Sequence, residues 1–212
     1  MKKLILSVII AAIIAPSATA AKKAKSGKAI NNAAIKYLDD NFWTYDKLQK
    51  TIWVNPELGF IEYNSSKLLQ DHLRENGFSV EAGIAGMPTA FVATYGSGEP
   101  TIGFLAEFDA LPGLSQDTVP VRSPRVKDAP GQGCGHNLLG VGSTSAAVAL
   151  SKWLAANHRK GTIKIFGTPA EEGGAGKVYI VRDGYFKGID AVLDWHPGSG
   201  NGVSTNPGTA MQ

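Results

Sequence analysis

Six side chains of this 212-residue sequence have the chemistry to bind a metal ion and to move protons beside it. Thiolate, imidazole and carboxylate are ligands that Zn²⁺ and similar divalent ions accept. A carboxylate beside such an ion can also serve as a general acid or base. Taken singly, each has an ordinary structural interpretation, such as a hydrogen-bonded histidine or a solvated acidic loop. The six residues are Cys134, His136, His196, Asp109, Glu171 and Glu172.

The carboxylates and His196 follow segments that predict β-strands. Because ligand sites in open α/β sheets form outside the carboxyl ends of the strands, we expect these side chains to converge at one edge of a sheet. Glu171 and Glu172 are neighbours in a turn-forming segment, where one carboxylate can bind a metal while the other handles a proton. The pairs of segment and following residue are 101–108 with Asp109, 162–166 with Glu171 and Glu172, and 191–195 with His196.

Cys134 is the single cysteine of the chain, so it cannot form an internal disulfide. It lies in the glycine-rich segment 130–137, where a cysteine used only for packing is unusual, and this favours a functional thiol. A cysteine nucleophile with His136 as its base is an alternative. Two side chains separated by one glycine seldom face each other, however, and no third group that would orient the base is evident. The sequence contains no nucleophile elbow, P-loop or His-Glu-x-x-His motif.

Hydrophobic periodicity predicts helices that flank these segments. Apolar residues at helical spacing predict one helix over 30–52, ended by the Asn55-Pro56 turn. A second helix is expected over 65–76, begun by a serine cap and ended by Gly77. Two further helices are predicted, at 137–157 and 177–182.

The predicted strands alternate with these helices, which indicates a three-layer α/β domain. The segments 91–95 and 101–108 are joined by a short turn and are expected to form a hairpin or neighbouring strands. Strands are also predicted at 162–166 and 191–195. Residues 109–136 show no periodicity, and a loop of this length inside a compact domain is typically functional or disordered.

The N-terminus predicts export. Residues 1–20 combine two lysines, an apolar run at 4–15 and a small-x-small cleavage site that ends at Ala20, which together are typical of a secretory signal peptide. The apolar run is shorter than the ~20 residues that a membrane span needs. We therefore expect a periplasmic or secreted protein with no membrane attachment after cleavage, and a disordered lysine-rich leader at 21–29.

The formal net charge of +3 is concentrated at the same end of the chain. Six lysines lie within the first 28 residues, which leaves 15 basic and 18 acidic residues from Ala29 onward. A body with this slightly negative balance is not a general binder of polyanions, so nucleic acid is not an expected partner. A hydrophobic content of 43% with 18% charged residues excludes a disordered chain.

Six short segments between residues 36 and 198 together resemble the metal-dependent amidohydrolases of the M20 peptidase superfamily, in the branch with a Cys-Gly-His motif. No single segment is specific, but the combination is. The resemblance implies a zinc-peptidase-like catalytic domain over 30–198, with a three-layer mixed sheet and flanking helices. The segments are Trp53–Phe60, Gly83–Thr89, Leu105–Gln116, Gly133–Asn137, Gly167–Gly174 and Trp195–Pro197.

The resemblance also implies roles for the candidate residues. Cys134 would bridge two divalent ions, and Glu172 would be a ligand of the second ion. Glu171 would be the general base that activates metal-bound water and then protonates the leaving amine. Asp109 would orient His136 by a hydrogen bond. The implied metal ligands are Cys134, His136, Glu172 and His196.

The implied reaction is hydrolysis of an amide bond in a small N-acyl or aminobenzoyl amino acid, with the substrate-binding residues unassigned. The two ions are expected to be Zn²⁺ or Mn²⁺, with Co²⁺ and Ni²⁺ as alternatives. Members of this family continue into a lid domain, through which they form homodimers, and later supply a last histidine ligand. Residues 199–212 resemble the link toward that lid, so we expect an incomplete catalytic domain without the lid. The alternative is a truncated, non-catalytic homologue that binds one ion or ligand without turnover.

Overall fold

The computed structural model of the protein describes residues 32–200 and residue 202. The signal peptide predicted at 1–20 and the leader predicted at 21–29 lie outside the described residues. Most of the linker predicted at 199–212 also lies outside them. These three assignments stay predictions.

A mixed sheet of five strands forms the centre of the fold. The strands are β1 (Ser79–Ala82), β2 (Phe91–Ser97), β3 (Thr101–Ala106), β4 (Gly161–Gly167) and β5 (Ala191–Leu193). Their spatial order is β1-β2-β4-β3-β5. β2 pairs antiparallel with β1 and β4, whereas β3 pairs parallel with β4 and β5. The carboxyl ends of β4, β3 and β5 therefore lie at one edge of the sheet.

The prediction that 91–95 and 101–108 form a hairpin or neighbouring strands is wrong, because β4 lies between β2 and β3. The backbone N–H of Thr162 donates to the carbonyl of Pro100, so β4 begins directly beside the turn that joins them. A short turn brings two strands close but does not make them pair. β4 buries apolar side chains on both faces, which is typical of a central strand.

The helix predicted over 30–52 is two helices that meet at Asn41. The Asn41 backbone is not helical, and its side-chain amide donates to the carbonyl of Tyr37 at 2.8 Å, which ends the first helix. The helices predicted at 137–157 and 177–182 are confirmed to within one residue. The helices are α1 (32–40), α2 (Phe42–Val54), α3 (Tyr63–Glu75), α4 (His136–Ala156), α5 (Glu171–Gly174, a single turn) and α6 (Gly176–Arg182).

The start of α3 differs from the serine cap that the sequence predicts. The Glu57 carboxylate, from the preceding loop, accepts hydrogen bonds from the backbone N–H groups of Asn64 and Ser65. It thereby satisfies donors that the first turn of a helix leaves free. The helix consequently begins before the serines, while Gly77 follows its end with a φ of +87°, as predicted.

Helices cover both faces of the sheet, which confirms the three-layer α/β prediction. α2, α3 and α4 pack on one face, where Leu73 and Ile165 are fully buried. α6, through its buried Ile180, and the short turn Ile84–Gly86 pack on the other face, against Phe166 of β4. Among the described residues, α4 alone has the length and apolar composition to cross a bilayer, and more than half of it is buried in this core.

Two glycines let α4 approach the end of β3. Gly135, directly before the helix, adopts a φ of +82°. A Cβ atom at Gly140 would lie 2.5 Å from the carbonyl oxygen of Glu107, which is closer than a Cβ atom can approach another heavy atom without a clash. The absence of that atom places His136, the first residue of α4, against the residues that follow β3.

Truncation of Leu73 to alanine tests the helical side of the core. Because Leu73 is fully buried, we expect Leu73→Ala to lower the free energy of unfolding by about 2–5 kcal/mol. The matched change Leu138→Ala, at a residue that is 44% exposed, should cost less than about 1 kcal/mol. Urea unfolding followed by circular dichroism measures both. Equal losses would show that this face is not the core.

Candidate metal centre

The six predicted site residues meet at the edge where the parallel strands end. Asp109 follows β3, the Glu171–Glu172 turn follows β4, and His196 follows β5. Cys134 and His136 reach the same edge from the start of α4. The expected convergence is therefore present, because three parallel strands and the N-terminus of a helix deliver these side chains to one place.

His136 lies at the centre of the cluster and is fully buried. Its Nδ1 donates to Oδ1 of Asp109 at 2.9 Å. Its Nε2 has no hydrogen-bond partner among the described residues. Oε2 of Glu107 lies 3.0 Å from Nε2, but without the geometry of a hydrogen bond. The imidazole is thus held by one nitrogen and presents the other to the cluster.

The acidic turn is held against the same aspartate. The backbone N–H of Glu172 donates to Oδ2 of Asp109 at 2.8 Å. Carboxylate oxygens of Glu171 and Glu172 lie 3.8 and 4.0 Å from Nε2 of His136. Oε1 of Glu172 is buried and has no hydrogen-bond partner among the described residues. Asp109 therefore positions both the imidazole and the acids that face it.

Cys134 and His196 form the outer part of the cluster. Sγ of Cys134 lies 3.2 Å from Nε2 of His196. The other ring nitrogen of His196 lies 2.9 Å from the carbonyl oxygen of Pro197, which favours a proton on Nδ1 and leaves the lone pair of Nε2 facing the thiol. Thiol and imidazole thus point at a common position, together with Nε2 of His136.

Two buried carboxylates support the site, and neither was among the predicted site residues. Glu62 accepts hydrogen bonds from Thr89 Oγ1 at 2.7 Å and from the backbone N–H of Ala170 at 2.8 Å. It thereby fixes the residue directly before the acidic turn, whose backbone has a positive φ. Glu107 forms an ion pair with Lys177. The sequence signal for Glu107 was its place two residues before Asp109, at the same strand end.

Negative charge dominates the electrostatics of the cluster. Burial, together with the neighbouring Glu172 and Glu171, raises the pKa of Cys134 to about 12. Burial also raises the pKa of Glu107, despite its pairing with Lys177. Burial opposes the charged form of His136, but its hydrogen bond to Asp109 outweighs this and its pKa lies above the ordinary value. The cluster is therefore short of positive charge.

A divalent cation fits this arrangement. The donor atoms are of the types that Zn²⁺ and related ions accept, and two of them are buried without a partner among the described residues. Two ligand sets lie within reach of a single ion, and both include His136. Asp109 behind the imidazole is the outer partner that metal-binding histidines commonly have. The two sets are Cys134, His136 and His196, and Glu107, His136 and Glu171.

The chain belongs to the peptidase family M20/M25/M40, which it matches over residues 103–209, half of its length. The fold agrees with this assignment. A protein of methicillin-resistant Staphylococcus aureus, described as an aminohydrolase, is 27% identical with a TM-score of 0.63 over 78% of this chain and 42% of its own. A Bacillus subtilis M20 peptidase, described as binding two metals, is 25% identical with a TM-score of 0.56 over 70% of this chain and 41% of its own.

Among sequence relatives, the chain is 43% identical to one of the subunits of p-aminobenzoyl-glutamate hydrolase from Escherichia coli, over 72% of this chain and 32% of the relative. It is 32% identical to hippurate hydrolase of Campylobacter jejuni, over 72% of this chain and 39% of the relative. The chain thus matches 32% and 39% of the lengths of these two relatives. The family resemblance inferred from the sequence is confirmed, while the roles of the individual site residues stay predictions.

Replacement of Asp109 tests how the imidazole is presented. Asparagine cannot accept hydrogen bonds at both positions where Asp109 does, so the ring and the acidic turn should both lose their orientation. Since outer partners of ligands contribute about 10–100-fold to metal affinity, we expect Asp109→Asn to weaken Zn²⁺ binding by that factor. Competition with a chelating dye measures the affinity. Asp117→Asn, at an exposed carboxylate that also accepts a backbone N–H, is the control and should bind normally.

The raised pKa of Cys134 predicts slow alkylation of the metal-free protein. Because only the thiolate reacts, the rate with iodoacetamide should be well below that of free cysteine. A thiol with the ordinary pKa of 9.0 approaches its plateau about one pH unit above that value, whereas the rate for Cys134 should keep rising beyond that point toward its pKa of about 12. Mass spectrometry of timed samples gives the rate. A profile whose midpoint lies at pH 9.0, as for an ordinary thiol, would contradict the effects of burial and neighbouring charge on Cys134.

Proposed function

We propose that this protein is an exported, metal-dependent amidohydrolase that cleaves the amide bond of an N-acyl or aminobenzoyl amino acid. The observation that carries the proposal is the pair of buried ligand atoms without a partner among the described residues, Nε2 of His136 and Oε1 of Glu172. They face the same space as the Glu171 carboxylate. Polar atoms buried without a partner are costly, and a bound cation would remove that cost.

The cluster divides naturally between two ions. Cys134, His136 and His196 would hold one, and Glu172 would hold the second with Cys134 between them. When bound, such ions act as Lewis acids that polarise the amide carbonyl and make a water molecule more acidic. Zn²⁺ or Mn²⁺ are the ions we propose, and the thiolate favours Zn²⁺.

Glu171 is the member of the acidic turn that is free to move a proton. Its side chain is 43% exposed, whereas that of Glu172 is 18% exposed. Its Oε2 lies 3.8 Å from Nε2 of His136, and is thus both beside the ligands and open to water. Glu171 would accept a proton from the attacking water and then donate it to the nitrogen of the leaving amine.

The substrate class rests on the relatives. One is named for the hydrolysis of p-aminobenzoyl-glutamate and another for that of hippurate. Both names point to an amide bond between an aromatic acyl group and an amino acid. Export rests on the predicted signal at 1–20. We also propose a homodimer, and the naming of the Escherichia coli relative as a subunit fits an assembly of chains.

Replacement of Glu171 tests the proposed chemistry. Glutamine has a similar shape but cannot accept the proton, so Glu171→Gln should lower kcat for p-aminobenzoyl-glutamate by about 10²–10⁴-fold. The metal content of Glu171→Gln, measured by inductively coupled plasma mass spectrometry, should equal that of the unaltered protein. Release of p-aminobenzoate, followed by chromatography, gives the rate. Glu75→Gln, at an exposed glutamate of α3, should retain full activity.

The same assay separates the alternatives. Metal binding without turnover in the unaltered protein would favour the non-catalytic homologue. Turnover that survives a chelator and is lost on alkylation would favour a cysteine hydrolase. Full activity of metal-loaded Glu171→Gln would exclude Glu171 as the general base.

A further inference from the structure

Glu107 is a buried carboxylate whose two oxygens face different partners. Its side chain is 5% exposed. Oε1 accepts a hydrogen bond from Nζ of Lys177. Oε2 is directed at the cluster and lies 3.0 Å from Nε2 of His136. One oxygen is therefore satisfied by an ammonium group, whereas the other ends beside the free nitrogen of the central imidazole.

The approach of Glu107 to His136 is not a hydrogen bond. The two atoms are close enough, but their directions do not meet the requirement for one, and Nε2 remains without a partner among the described residues. Asp109 already accepts the proton of Nδ1. In the tautomer with its proton on Nδ1, His136 presents the lone pair of Nε2 toward Oε2 of Glu107. A shared proton would need the geometry of a hydrogen bond, which this contact lacks, so a metal ion bound by both atoms is the arrangement that satisfies them.

The separation matches that of two ligands on one ion. Bonds of about 2.0–2.2 Å from a divalent ion to nitrogen and oxygen, at angles of tetrahedral or octahedral coordination, place the donor atoms roughly 3.0–3.5 Å apart. Oε2 of Glu107 and Nε2 of His136 are 3.0 Å apart. Glu107, His136 and Glu171 also form a set whose ligand atoms lie within 4.8 Å of one another.

We propose, building on the metal-dependent function above, that Glu107 is a further ligand of the ion held by His136, and that Lys177 fixes its carboxylate for this role. Lys177 belongs to α6, directly after the acidic turn. A Cβ atom at Gly176 would lie 2.0 Å from the carbonyl oxygen of Pro169, so glycine lets α6 start close against the site. Lys177 thereby reaches the far oxygen of Glu107 and leaves the near oxygen for the ion.

Three variants separate a ligand from the partner of a structural ion pair. Glu107→Gln and Lys177→Gln break the same ion pair, but only the first removes the carboxylate. The double variant replaces the ion pair with two neutral amides that can hydrogen-bond to each other, which preserves the fold if either single variant is unstable. Circular dichroism of the metal-free proteins checks folding. Co²⁺ is the probe, because its visible absorption reports the number of ligands and its near-ultraviolet absorption reports the thiolate.

We expect Glu107→Gln to weaken Co²⁺ binding at least tenfold, since even an outer partner of a ligand contributes about 10–100-fold. The double variant should be weakened equally. Lys177→Gln should weaken Co²⁺ binding much less than Glu107→Gln does, because the near carboxylate oxygen of Glu107 remains and the glutamine amide can still donate to the far one. In Glu107→Gln the visible band should change, while the thiolate band from Cys134 stays.

Equal weakening of Co²⁺ binding in Glu107→Gln and Lys177→Gln would overturn the proposal, because the ion pair would then matter only for structure. Normal binding by the double variant, or an unchanged visible band in Glu107→Gln, would also overturn it. These outcomes differ from failure of the proposed function. If the unaltered protein binds no Co²⁺, both proposals fail, whereas intact binding and turnover with an unaffected Glu107→Gln remove only this one.

Discussion

The site depends on the position of one carboxylate. Asp109 accepts the Nδ1 proton of His136 with one oxygen and the backbone N–H of Glu172 with the other. It thereby joins the start of α4 to the turn after β4, two parts of the chain that are distant in sequence. The same contact decides the tautomer of the imidazole, because a proton held on Nδ1 leaves Nε2 as the metal-binding nitrogen. Asp109 is 1% exposed, so water does not compete for either hydrogen bond.

The sheet topology makes this contact possible. Because β4, β3 and β5 run in the same direction, their carboxyl ends deliver the acidic turn, Asp109 and His196 to one edge. The antiparallel pair β1 and β2 extends the sheet on the other side of β4. Close packing of α4, allowed at Gly140, then brings His136 to the end of β3. The positions of the site residues thus depend on a few places where backbone segments pack unusually close together.

The excess of acidic groups in the cluster explains why it favours a bound cation. Several carboxylates and a thiol meet in a partly buried cluster, and among the described residues Lys177 is the lysine that forms an ion pair there. Burial raises the pKa values of Glu107 and Cys134 and so works against their ionised forms in the metal-free protein. A divalent ion would reverse that tendency, because it favours the ionised form of every ligand around it. Metal binding and proton release are therefore expected to be coupled in this protein.

The sequence by itself determined the residue types of the site, the strand ends that carry them, the three-layer class and the family, because motifs and hydrophobic periods are local properties. It also predicted the end of α3 at Gly77, which depends on one backbone angle. Tertiary structure decided the insertion of β4 between β2 and β3, which depends on competition among strands distant in sequence. It also decided the roles of Glu62 and Glu107. Glu62 acts on Ala170, 108 residues away, and Glu107 on Lys177, 70 residues away. No local pattern contains such pairs, since only packing of the whole domain brings them together.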